Sequence, residues 1–131
     1  LADMVQRFGR DAGITAHFAT DVAGLRLPLR TCHEIVRIVQ EALVNVRKHS
    51  GASQVIVRFT AAEDAWIVTV ADNGRGFPFS GRLSPAELER TWRGPTTIKE
   101  RVKVLGGHLT VNSTPGLGAT LELRIPRERH G

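Results

Sequence analysis

Two runs of alternating side chains fix what this chain can become. Apolar residues recur at every second position in Val55, Val57 and Phe59, and again in Trp66, Val68 and Val70. A period of two turns one face of an extended strand toward a core and the other toward water. The short stretch Ala61 to Ala65 joins the runs, so they are predicted to pair as a hairpin. A chain with such a hairpin at its centre needs apolar helices or further strands to cover one sheet face.

The cover is legible upstream. Ile35, Ile38, Val39, Ala42, Leu43 and Val46 fall on one side of a helix with 3.6 residues per turn. Thr31-Cys32-His33-Glu34 reads as a capping box at its start, and Ser50-Gly51 as its end, with the last turn near His49. Val5, Phe8 and Ala12 predict a short helix over residues 1–12, capped by Asp3 with Gln6 and stopped by Gly13. A third helix is predicted from about Thr97, with Glu100 three residues later, to Gly106-Gly107. Ile14 to Thr20 alternates as a strand does. Leu109 and Val111 are predicted to face Leu121, Leu123 and Ile125 across the turn Thr114-Pro115-Gly116. The fold class is therefore α+β: a two-layer sandwich with a mixed, mostly antiparallel sheet of about five strands and three main helices on one face. The stretch from Gly74 to Gly94 is rich in Gly, Pro, Ser and charge. Loops of that length in a compact domain are commonly functional or disordered. Within it, Ser84-Pro85-Ala86-Glu87 predicts one short helix.

Composition narrows the classes of function. At 131 residues, the expectation is one domain over residues 1–131. No apolar run reaches the roughly 18 residues that a spanning helix needs, and no signal-peptide pattern is present, so no direct membrane contact is expected. A single cysteine, Cys32, excludes an internal disulfide and points to a reducing, cytoplasmic setting. The net charge of +5 is scattered along the chain, aromatics are 5% and tyrosine is absent. Stacking platforms for bases are then scarce, and nucleic acid is not an expected partner.

Three clusters carry candidate chemistry. Asp72-Asn73-Gly74-Arg75-Gly76-Phe77 follows the second alternating run. An ionised Asp only accepts hydrogen bonds. It suits the exocyclic amino group of adenine, and it would meet the carbonyl oxygen of guanine lone pair against lone pair. Gly74 and Gly76 let backbone approach a flat or charged ligand closely. Asp-Asn-Gly is equally an ordinary turn composition. On the long helix, Glu41, Asn45 and His49 recur every fourth residue and form a polar stripe about 12 Å long. Asn45 can offer an amide oxygen to Mg²⁺, Glu41 can orient or deprotonate a reacting group, and Lys48 and His49 can meet phosphate. A solvated helix face has the same spacing. Finally, Gly94-Pro95-Thr96-Thr97 leads into the third helix, whose first amides are free to bind an anion, with Thr96, Thr97 and Lys99 adding donors. A plain helix cap looks the same. Gly76 to Leu83 lacks the Lys and Ser/Thr of a Walker A loop, and no G-x-G-x-x-G follows a strand.

Taken in order, the motifs resemble a known family. Gln40-Glu41-Ala42-Leu43-Val44-Asn45-Val46-Arg47-Lys48-His49-Ser50-Gly51-Ala52 resembles the N box of bacterial sensor histidine kinases. Asp72 to Phe77 resembles the first glycine box. Ile98-Lys99-Glu100-Arg101-Val102 through Leu105-Gly106-Gly107 resembles the helix after the second glycine box, and Pro115-Gly116-Leu117-Gly118-Ala119-Thr120 with Arg124-Ile125-Pro126 resembles the closing hairpin. The subgroup is the one paired with helix-turn-helix response regulators. The resemblance implies a Bergerat-type fold that binds ATP and Mg²⁺. Asp72 would accept from adenine, and Gly74 and Gly76 would lie beside the nucleotide. Asn45 would hold the metal, Glu41 would be the base, and Lys48, His49, Gly94, Thr96 and Thr97 would lie near the phosphates. Residues 77–96 would form an ATP lid. The implied partners are a separate helical dimerisation domain carrying the phospho-acceptor histidine, and a response regulator. Two departures stand out. Gly94-Pro95-Thr96-Thr97-Ile98 replaces the usual Gly-Leu-x-Gly-Met, and Ala119 stands where a threonine is common, with Thr120 one residue later. The alternatives on the same fold are an anti-sigma-factor-type serine kinase and a degenerate domain that binds partners without nucleotide.

Overall fold

A computed structural model of the chain describes residues 2–20, 29–47, 51–74, 81–83, 96–114, 116 and 118–126. The element order is α1 (Ala2–Ala12), β1 (Thr15–Thr20), α2 (Leu29–Asn45), β2 (Gln54–Ala61), β3 (Ala65–Asp72), β4 (Gly81–Leu83), α3 (Thr96–Val104), β5 (His108–Thr114) and β6 (Gly118–Pro126). The strands form one sheet in the order β1-β2-β3-β6-β5-β4. β1 runs parallel to β2, and every other pairing is antiparallel.

The expected hairpin is there, with Val57 opposite Val70 and Phe59 opposite Val68. The rows continue across the sheet: Val70 opposes Leu121, which opposes Val111, and Val68 opposes Leu123, which opposes Leu109. Directly opposed residues share a face, so these rows make one apolar surface. The Phe59 and Trp66 rings stack on it with centroids 5.7 Å apart. Val5 of α1, Ile35, Ile38, Val39, Ala42 and Leu43 of α2, and Ile98 and Val102 of α3 bury into one cluster with that surface. The three described helices therefore cover the same face, as two-layer packing requires. Each such Val, Leu or Ile side chain contributes about 1.5–3 kcal/mol when removed from water.

Three details differ from expectation. The sheet has six strands rather than about five. The extra strand, β4, lies inside the stretch read as a lid and pairs Leu83 with Val111. Three residues are too few to show a period, and an edge strand is defined by its partner. Second, α2 begins at Leu29, so Thr31 lies within its first turn and does not cap it. The Glu34 carboxylate instead accepts a hydrogen bond from Arg101 of α3 at 3.2 Å. Third, α2 ends as a regular α-helix at Asn45 and passes through a wider π-type turn at residues 46–47. The predicted end of α3 holds. Gly106 N–H donates to the Lys103 carbonyl and Gly107 N–H to the Val102 carbonyl, both at 2.9 Å, with Gly106 at φ +68°. That is the paired-bond stop that a left-handed glycine permits. The helix expected at Ser84–Glu87 lies outside the described residues.

Candidate functional site

Asp72 is the last residue of β3. It opposes Val55 on one side and Ala119 on the other, so its side chain belongs to the helix-covered face. The row ends on Ser113, opposite Ala119 and buried. On the β6 and β5 side, small side chains thus lie beside the carboxylate where the core rows above it carry Val and Leu, with Val55 on its other side. Asp72 is half-buried, and one carboxylate oxygen accepts the Gly74 N–H at 2.8 Å. Burial pushes the Asp72 carboxyl above its ordinary value of 3.8, and the Gly74 bond opposes that shift in part. Among the described residues Gly74 is its one donor, which leaves acceptor capacity for a ligand.

The turn after β3 is held by Asn73. Its Oδ1 accepts from the Ser53 and Gln54 N–H groups, and its Nδ2 donates to Ser53 Oγ, each at 2.9 Å. Its own N–H donates to the Gln54 carbonyl at 3.3 Å. These bonds tie the chain back to the start of β2 and set the exit direction of Asp72 and Gly74. Gly118 closes the other side. At φ +127° its backbone passes so near the Asp72 carbonyl that a Cβ would overlap it. A bare residue at this place is thus a steric requirement.

α2 lies over the sheet face that carries Asp72 and packs on β3 and α3. Its half-buried Glu41 and Asn45 are one turn apart. Arg101 Nε lies 3.5 Å from Glu41 Oε1, too far and too poorly aimed for a hydrogen bond. Glu41 Oε2 is buried without a donor. An unpaired buried carboxylate oxygen costs about 1–3 kcal/mol or more. It calls for a proton donor or the hydration shell of a cation. No hydrogen bond engages the Asn45 side-chain amide among the described residues, so its carbonyl oxygen is available as a hard ligand. The donor chemistry therefore fits a magnesium-bound phosphate group.

The remaining candidates divide. Thr96 and Thr97 form the first turn of α3, so the amides expected to be free stand at a helix N-terminus. Lys48, His49, Gly76 and Gly94 lie outside the described residues, as does most of the stretch 77–96. Thr120 opposes Ala71 and Asn112, which puts it on the face away from Asp72, while Ala119 takes the place beside the carboxylate. Asn73, Ser113 and Gly118 had no assigned part in the site. Asn73 and Gly118 stood inside quoted motifs, but their role depends on contacts to residues about 20 and 45 positions away. An open cleft of about 380 Å³ lies between α1 and β1, lined by Gln6, Gly9, Arg10, Ile14 and Ala16. It sits at the sheet edge, away from these groups, and takes no part in the site.

Among the described residues, a six-stranded sheet with three helices on one face and a half-buried carboxylate ending a central strand fit a Bergerat-type ATPase domain. Residues 32–129 match the family model described as histidine kinase-, DNA gyrase B- and HSP90-like ATPase, and the chain belongs to that family. Among curated relatives it is 34% identical over 126 residues to the signal transduction histidine-protein kinase/phosphatase DegS of Brevibacillus brevis, covering 96% of this chain and 31% of that one. It is 36% identical over 92 residues to the sensor histidine kinase LiaS of Bacillus subtilis, covering 70% and 24%. The chain thus spans about a third or less of these relatives. Among solved structures, the ATP binding domain of PrrB from Mycobacterium tuberculosis aligns with a TM-score of 0.68 at 22% identity, over 98% of this chain and 94% of that one. The histidine kinase domain of a blue-light activated histidine kinase from Erythrobacter litoralis aligns with a TM-score of 0.74 at 24% identity, over 93% and 57%. At those identities the two structures speak to the fold.

Proposed function

We propose that this chain is the catalytic, ATP-binding domain of a sensor histidine kinase. It binds Mg·ATP and presents the γ-phosphate to a histidine on a separate helical domain, for relay to a response regulator. The observation that carries this reading is the half-buried Asp72 carboxylate, held by one backbone donor on the helix side of the sheet. Its free acceptor capacity selects a base that offers an N–H there, and adenine does. Asn45 and the nucleotide's phosphates would hold Mg²⁺, which supplies neutralisation of the charge that builds on the transferring group. The first turn of α3, with Thr96 and Thr97, offers unpaired amides to phosphate. Lys48, His49, Gly76 and Gly94 complete the phosphate side in this reading, with residues 77–96 acting as the lid and residues 1–131 as one domain.

The chemistry is a displacement. A ring nitrogen of the acceptor histidine forms a bond to the γ-phosphorus as the bond to the departing ADP oxygen breaks. The imidazole's other nitrogen loses its proton, and Glu41 Oε2 is the acceptor for it. No helix of the described residues is long and apolar enough to cross a membrane. A cytoplasmic face is the setting where ATP and a response regulator are both at hand.

Reconstitution tests the division of labour. The purified helical domain of the parent kinase, mixed with this chain and γ-labelled ATP, should become labelled on its histidine. Label that accumulates on this chain at the same rate would contradict it, and label on a serine of a partner would favour the serine-kinase alternative.

A further inference from the structure

The end of β3 is held by the residue that follows its carboxylate. Asp72 makes the last pairs of that strand, with Val55 of β2 and Ala119 of β6. Strand ends fray, and this one carries a half-buried charge. Burial pushes the Asp72 carboxyl above its ordinary value, and opening the strand end would return the charge to water. Asn73 stands against that opening. Its N–H donates to the Gln54 carbonyl at 3.3 Å, which carries the pairing one residue past Asp72. Its Oδ1 accepts from the Ser53 and Gln54 N–H groups, and its Nδ2 donates to Ser53 Oγ, each at 2.9 Å. Two backbone donors on one atom also identify that atom as the amide oxygen.

Two features separate this clasp from an ordinary strand end. Asn73 is itself exposed, so water competes for each bond and the net contribution to stability is modest. Four bonds on such a residue fix position more than they add free energy. Asn73 also lies between Asp72 and Gly74, whose N–H gives the carboxylate its bond at 2.8 Å. One residue thus sets both the carboxylate and its donor. On the far side, the Ser53 carbonyl accepts from Thr15 N–H at 3.0 Å, so the clasp bears on the β1–β2 edge of the sheet. A recognition group must be held to within about 0.5 Å to give its full discrimination.

We propose that Asn73 is the positioning residue for the purine-reading carboxylate: it clasps β3 to Ser53 and Gln54, and so sets how sharply the site tells adenine from guanine. The inference rests on the adenine role given to Asp72 above. Asn73 acts through Asp72 and need not touch nucleotide. Held in place, the Asp72 carboxylate accepts from an exocyclic amino group and repels a carbonyl oxygen at the same position. Released, it turns toward water and selects neither base.

The test reads calorimetric affinities of this chain for Mg·AMPPNP and Mg·GMPPNP, and takes their ratio. Changes that act on the phosphates cancel in that ratio. Asn73→Ala should narrow it roughly three- to tenfold, part of the 10- to 100-fold that a hydrogen bond to a charged group is worth. Its thermal midpoint should fall by no more than about 5 °C. Asn73→Asp keeps an acceptor for both backbone donors, and the Ser53 hydroxyl can turn to donate, so most of the ratio should return. Ser53→Ala removes one bond of the clasp and should narrow the ratio by about twofold or less. In an Asp72→Asn background, Asn73→Ala should change neither affinity by more than about twofold. An unchanged ratio in a folded Asn73→Ala would overturn the proposal. So would a loss of adenine affinity as large in the Asp72→Asn background, or equal falls for both nucleotides together with the thermal midpoint. If Asn73→Ala does not fold, Asn73→Ser, whose shorter side chain reaches the two donors poorly, takes its place against Asn73→Asp. A wild type that binds neither nucleotide would instead remove the function proposed above. One that binds both equally would remove the adenine role of Asp72, and this inference falls in either case.

Discussion

Asp72 carries its charge at some cost to stability. Burial raises its carboxyl, so ionising it costs more in the folded state than in the unfolded chain. A group raised in this way stabilises the fold below its unfolded value of 3.8 and gives that stability up as pH rises through the folded value. At neutral pH the charge is carried at a cost. Asp72→Asn should therefore be slightly more stable than the wild type at pH 7, by less than about 1 kcal/mol since solvent still screens the group. Its Oδ1 can keep the bond to Gly74. Urea unfolding at pH 7 and near pH 4 checks this: the gap should close as the wild-type carboxyl protonates. A clear destabilisation by Asp72→Asn at pH 7 would mean the charge has a structural partner. The same titration predicts a binding effect. A carboxylate that must accept from adenine fails once protonated, so affinity should fall on acidification, beginning above pH 3.8.

Elements place that carboxylate. β3 brings Asp72 to the end of the helix-covered face, and β6 enters beside it through Gly118. Gly118→Ala would set a methyl against the Asp72 carbonyl at a φ that L-residues avoid. A loss of more than about 1 kcal/mol in unfolding free energy is expected, together with weaker nucleotide binding. Unchanged stability in that variant would show that the β3–β6 approach can relax. At this scale the sequence was informative where periodicity governs. The hairpin from Val55 to Val70, the apolar stripe of α2 and the glycine stop of α3 follow from local pattern, and the structure has them. Contacts between distant residues left weaker traces. β4 is three residues long and exists through β5. Thr31 and Glu34 had the spacing of a capping box, yet the helix opens earlier, at Leu29, and Arg101 takes the Glu34 carboxylate. The face of Thr120 was legible from strand parity, whereas the pinning bonds of Asn73 depend on Ser53 and Gln54 across a hairpin.

On the scale of the molecule, one sheet face does two jobs. Its middle, from Val57 to Val111, is packed by the three described helices, and its end row sets Asp72, between Val55 and Ala119, in line with Ser113. α2 joins the two: Ile35, Ile38, Val39, Ala42 and Leu43 bury in the core, while Glu41 and Asn45 on the same helix stay half-exposed. Stability and the candidate site therefore share a scaffold, which would place the proposed base, metal ligand and purine reader on rigid elements. Calorimetric titration of the wild type and Asp72→Asn with Mg·AMPPNP and Mg·GMPPNP tests that arrangement most directly. The wild type should bind the adenine nucleotide and reject the guanine one, and Asp72→Asn should lose roughly 10- to 100-fold of the adenine affinity, the worth of a hydrogen bond to a charged group. Equal affinity of both proteins for both nucleotides would contradict it.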